Sequence, residues 1–157
     1  MAVFFGMVNM WYYYTLKQDP YWRGRPPQML PWDVPVWHRY LDSHQDEYKE
    51  VIYNFAITEK EPPKGLPENI IRSWMYSSAV RVDAIGARKD GSYDIIEVTR
   101  QANLRAVGQI IVYTDLITRA NPFNAKYNSL IVAEYANPDI KTVLEKNNVK
   151  LILCPPE

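Results

Sequence analysis

The sequence predicts an α/β fold: a mixed central sheet flanked by helices, preceded by an extended aromatic arm. Three observations predict it. The segments AVRVDAIGA and SYDIIEVT flank Arg88-Lys89-Asp90-Gly91, and Asp-Gly between alternating apolar runs is a strong hairpin signal. Beyond that hairpin, helical and strand-like segments alternate, which gives a sheet with helices packed on it. The aromatic residues are also unevenly spread, with eleven of the 21 in the first 40 positions.

Length and composition set the frame. The 157 residues suffice for one packed core, and an apolar fraction of 47% argues against wholesale disorder. Lys plus Arg equals Asp plus Glu at 18 each, so a broad basic nucleic-acid grip is excluded and any such contact must rest on local patches. The one cysteine, Cys154, can form neither an internal disulfide nor a Cys-based zinc site. That favours a reducing compartment, cytoplasmic or inside a virion, rather than secretion. Residues 1–16 lack the basic start of a signal peptide and are shorter than the ~20 residues of a membrane span.

Residues 1–32 read as a proline-rich docking arm, and 33–157 as the folded domain. An apolar arm must dock, on its own domain or on a partner chain. Phe4, Phe5, Trp11, Tyr13 and Trp22 are the expected anchors for a protein partner or a second copy, since such side chains bury much area with few rotatable bonds. Asp33 reads as the N-cap of a helix over 34–44, with Pro35 in its first turn. Val51, Tyr53, Phe55 and Ile57 alternate along a strand at 50–58, and Glu68 to Tyr76 allows a helical turn or two. After the hairpin, residues 103–120 read as a buried helix closed by Asn121-Pro122. NSLIVAEY is then a covered strand, NPDIKTVLEKNN a capped helix and VKLILC a final strand, where Cys154 is expected to be buried.

The hairpin carries the chemistry. A three-residue loop, Lys89 to Gly91, pairs Arg88 with Ser92 and sets Asp83 opposite Glu97 on one face. By alternation Arg81, Ile85, Tyr93, Ile95 and Thr99 share that face, whereas Val82, Ala84, Ile96 and Val98 line the other. Carboxylates so close repel unless a proton or cation lies between them, and Mg²⁺ suits such oxygen donors. A two-residue turn would separate the pair, and on a solvated face Asp83 would pair with Arg81 or Arg100 instead. Arg105, Gln109 and Tyr113 follow at i,i+4 on the next helix, on one face.

The pattern V-R-V-Asp83-A-I, then I-I-Glu97-V-Thr99-R, then Gln109-I-I-V-Tyr113 resembles the PD-(D/E)XK nuclease superfamily, closest to its RecB-like branch. The resemblance spans about residues 33–154 and implies a restriction-endonuclease-like core. It implies that Asp83 and Glu97 ligate Mg²⁺ or Mn²⁺ together with the Val98 carbonyl; Arg105, which shares the Gln109 face, is the candidate substitute for the family's catalytic cation. Gln109, Tyr113 and Arg81 would bind DNA. His38 stands where RecB-like members often place a further ligand. The chain departs from the family where a lysine should follow the glutamate by two residues: Thr99 is there instead, and a hydroxyl cannot stabilise phosphate charge as an ammonium does. Two functions follow as expectations. One is a metal-dependent nuclease acting on DNA. The other is an inactive structural or adaptor protein of a phage particle, such as a neck or head-tail component, assembled through its arm.

Overall fold

A computed structural model describes residues 10–157. In chain order the elements are β1 (Trp11–Tyr13), β2 (Leu16–Gln18), α1 (Val34–His44), β3 (Tyr48–Thr58), α2 (Glu68–Ser78), β4 (Val80–Arg88), β5 (Tyr93–Ala102), α3 (Leu104–Ala120), β6 (Tyr127–Ala136), α4 (Lys141–Lys146) and β7 (Val149–Leu153). Among the described residues seven strands form one sheet in the order β1-β3-β4-β5-β6-β7, with β2 also on β3. β3, β4 and β5 run antiparallel, whereas β5, β6 and β7 run parallel through α3 and α4, so the sheet is mixed. This is the predicted α/β class. No described helix is long and apolar enough to cross a membrane.

The hairpin closes as its turn residues require. The Arg88 N–H donates to the Ser92 carbonyl at 2.9 Å, and Gly91 takes φ 93°, a conformation that a side chain disfavours. Gly91→Ala should cost about 1 kcal/mol, read as a lower urea midpoint at constant slope. The predicted register follows, with Ala84 opposite Ile96 and Ile85 opposite Ile95. The hairpin base is pinned by a satisfied buried network. Asp94 accepts from Tyr48 at 2.6 Å, Arg88 at 2.9 Å and Asn128 at 2.9 Å.

Two apolar layers sandwich the sheet. On one face α1 buries Trp37, Tyr40 and Leu41 against Val51, Tyr53, Ala84, Ile96 and Val132. On the other, Ile110, Tyr113 and Ile117 of α3 pack with Ile52, Phe55, Ile85, Ile95 and Ile131. A smaller cluster joins Met75 of α2 to Trp11 and Ala56.

The alternation slips at one rung. Ile52 and Ile85 belong to the α3 layer and Tyr53 and Ala84 to the α1 layer, as period two demands. One step further, Phe55 and Val82 lie in the α3 layer again. The slip falls between them, at Asn54 and Asp83, which drop out of the ladder while the pairs Tyr53–Ala84 and Phe55–Val82 keep register. Asn54 absorbs it with φ 53°. The expectation that Val82 opposes Ile85 across the sheet is thereby corrected, as is the uniform face drawn through Arg81, Asp83 and Ile85. Arg81 instead lies over the Tyr76 ring at 4.1 Å and donates to the Tyr76 carbonyl at 2.9 Å.

The segment read as an arm contributes β1 and β2, both antiparallel to β3. Trp11 is only 2% exposed, so the expectation that it anchors a partner is corrected: its indole is spent on Ala56 and Met75 of this chain. Tyr13 is half-buried, stacked near Trp11 at 6.0 Å and edge-on to Tyr76 at 5.9 Å. Trp22 is half-buried over Tyr53 at 5.5 Å. Phe4 and Phe5 lie outside the described residues. Cys154 stands one residue past β7 and is half-buried rather than buried in the strand.

Candidate active site

A cavity of about 530 Å³ opens where the slipped rung meets the N-terminus of α3. Its lining includes Asp83 and Glu97 with Val98, Thr99, Arg81, Arg105, Gln109 and Tyr113. The cavity thus gathers the residues for which the sequence predicted a catalytic, metal or nucleic-acid role, with one exception. His38 is not among them; its Nε2 lies 3.3 Å from the Gly24 carbonyl oxygen, which corrects the expectation of a further ligand there. Arg100 points elsewhere, toward Glu134 at 3.5 Å, as strand alternation requires.

Local geometry explains the acidic pair. With β4 displaced at Asp83, the Asp83 side chain takes over a ladder bond, and its Oδ2 accepts the Val98 N–H at 2.8 Å. The carboxylate is thereby fixed against β5, in polar contact with Glu97. Glu97 is 6% exposed, and its Oε2 is buried without a hydrogen-bond partner. The Tyr113 hydroxyl approaches Glu97 from α3 and is itself approached by Gln109, two side chains one helical turn apart. Among the described residues neither carboxylate has an ion-pair partner.

Burial dominates the electrostatics. It pushes the Asp83 carboxyl up, and nearby Asp33 adds to the shift while the Val98 N–H opposes it. Burial likewise pushes Glu97 up, and the charge of Asp83 raises it further. Tyr113 rises through burial and then through the charge of Glu97, so its hydroxyl stays protonated and donates.

Asp33 stands at the predicted N-cap of α1, and its carbonyl accepts the Trp37 N–H at 3.1 Å. Its side chain makes no cap bond to α1. Its Oδ1 accepts the Arg100 N–H at 2.7 Å instead, and burial raises its pKa. An aspartate two residues before proline signals a helix start, and nothing local distinguishes a cap from a tie to a strand 67 residues on. Gln28 and Leu30 line the same wall, so the proline-rich segment shapes the cavity mouth. Thr99 faces the cavity half-buried, and its hydroxyl donates to the Gln101 carbonyl at 3.3 Å.

The donor set fits a divalent cation in kind. Two hard carboxylates meet at hydrogen-bonding range, one oxygen lacks a partner, and no lysine or arginine neutralises them. It is a sparse set, because no group of three or more His, Cys, Asp or Glu among the described residues could hold a metal ion. Asp33 shares the cavity without joining such a cradle.

No family model matches the sequence, and no curated protein matches it. Among the solved structures to which the chain is similar are three endonuclease structures. A repair endonuclease from Pyrococcus abyssi is 20% identical with a TM-score of 0.43, over 66% of this chain and 53% of that one. EndoMS in complex with double-stranded DNA is 25% identical with a TM-score of 0.41, over 49% of this chain and 32% of that one. EndoMS in its apo form is 26% identical with a TM-score of 0.39, over 46% and 33%. The chain therefore spans between about a third and about half of the length of these proteins.

Proposed function

We propose that the chain is a phosphodiester hydrolase acting on DNA with Mg²⁺ or Mn²⁺ held by Asp83, Glu97 and the Val98 carbonyl. One observation carries this reading: a buried carboxylate pair with an orphaned oxygen and no internal counter-cation, open to a cavity rimmed by guanidinium groups. Such a pair is costly to ionise, and a fold retains that cost where an exogenous cation offsets it. Held by Asp83, Glu97 and the Val98 carbonyl, such an ion would supply Lewis-acid polarisation of the phosphodiester.

The protein supplies the rest. The Val98 N–H fixes one Asp83 oxygen and leaves the carboxylate pinned to the strand. Tyr113, oriented by Gln109, holds Glu97 in place. Arg105 and Arg81 at the rim neutralise the phosphate as guanidinium forks, without shuttling protons. Thr99 in place of an ammonium is the observation that favours a slow or inactive enzyme, and with it the adaptor reading.

The test is cleavage of plasmid and short DNA in Mg²⁺ and Mn²⁺. The wild-type chain should cut, and Glu97→Ala should fall to background. Equal cleavage by the two excludes this site, and no cleavage by the wild type in either metal leaves the scaffold reading in its place.

A further inference from the structure

We propose that a groove on the outer side of α3 is a subsite for one unstacked nucleobase of a single DNA strand whose phosphate enters the carboxylate cavity. The inference rests on the hydrolase reading above and adds to it a substrate form and a seat for the base.

The groove measures about 620 Å³ and is walled by Val80, Val112 and the open flank of Gly108. It is not an isolated dent. Arg81, Arg105, Gln109 and Tyr113 line both the groove and the carboxylate cavity, so the two are adjoining compartments with four shared side chains. A nucleotide has the same division: an apolar, flat base on one side and an anionic phosphate on the other.

Charge complementarity fits that occupant. The guanidinium groups of Arg81 and Arg105 stand at the junction, and among the described residues neither forms an ion pair. Arg81 is held in place by the Tyr76 ring and carbonyl, which orient it without neutralising it. Two unneutralised guanidinium groups, that of Arg81 held by the Tyr76 ring, beside an acidic pair suit a phosphate bridging toward a metal.

Gly108 is the second clue. It lies inside a 17-residue helix, where glycine is a poor helix former. Its φ is not positive, and a Cβ there would meet nothing within 4 Å, so neither backbone nor packing requires glycine. What the missing side chain leaves is a flat strip of helix on the groove floor. Val112, one turn on, is exposed and extends that apolar strip. A base lying flat can use it, whereas a base still paired in a duplex is stacked and cannot enter.

Gly108→Leu tests the assignment, because leucine fills the groove while favouring the helix, and a thermal melt verifies that the chain stays folded. Binding of labelled single-stranded oligonucleotides to the full chain is followed by fluorescence anisotropy in Ca²⁺, using an intact strand and strands carrying one abasic position. Removing the base at one position should weaken wild-type binding about tenfold, and Gly108→Leu should weaken the intact strand about tenfold but leave that abasic strand unchanged. The single strand should also bind more tightly than the blunt duplex of the same sequence. Equal loss on both strands, no loss on either, or equal affinity for duplex and single strand overturns the subsite alone. A wild-type chain that binds no oligonucleotide overturns the hydrolase reading together with it.

Discussion

Thr99→Lys should raise DNA cleavage about 100-fold in Mg²⁺, the scale on which one preorganised charge donor at a reacting phosphate changes rate. Thr99 already faces the cavity from β5, two residues beyond Glu97, so a lysine there points along the same face. Its hydroxyl is spent on a long bond to the Gln101 carbonyl, and little is lost by removing it. The new ammonium would lie beside two acids that have no cation of their own, which favours its charged form and lowers their pKa values. The check is a single-turnover rate for the wild type and the variant, with Thr99→Met as a neutral side chain of similar length. An unchanged rate in a folded Thr99→Lys chain would show that this position does not address the phosphate.

The second large effect is on stability. Glu97→Gln should stabilise the metal-free protein by on the order of 3 kcal/mol at pH 8 and hardly at all at pH 4. The sign follows from proton binding. Asp83 and Glu97 have raised native pKa values, through burial first and then through neighbouring carboxylates. The native state therefore holds their protons more tightly than the unfolded chain does. The stability they contribute is complete below the unfolded values of about 4 and is lost as pH rises toward the raised native values. Glutamine keeps the shape and removes one of the two charges. Urea titrations of the wild type from pH 4 to 9 should show a falling midpoint that Glu97→Gln flattens. Mg²⁺ added at pH 8 should recover much of the loss in the wild type only. A wild-type midpoint that rises across this range would contradict the buried pair.

The parts legible in the sequence are those fixed by neighbours in the chain. The span of α1 follows from Pro35 near its start and from its apolar spacing. The hairpin register from Ala87–Tyr93 to Ala84–Ile96 follows from Asp90-Gly91 and brings Asp83 near Glu97, although the two do not pair across the ladder. Arg105, Gln109 and Tyr113 share a face because i,i+4 residues must. The parts that stayed hidden depend on distant partners. β1 and β2 are three residues each, and their strand character exists only because β3 offers an edge. The slip at Asn54 and Asp83 is invisible because VRVDAIGA satisfies period two on either side of it, and only the layers behind show the change. The tie of the Asp33 side chain stayed hidden because its donor, the Arg100 N–H, lies on β5, 67 residues on. The site was therefore readable as a set of residues but not as a shape: the tie from Asp83 to Val98 depends on that unseen slip.

The pairing of β1 and β2 along β3 also changes what a shortened chain would be. Starting the protein at residue 33 would strip six residues of β3, Val51 to Tyr53 and Ala56 to Thr58, of their outer neighbours and leave a bare, largely apolar border of amide groups. Such a border invites strand-by-strand stacking between molecules. Clumping after that deletion would then report an uncovered margin of the sheet, not the loss of a handle meant for another protein.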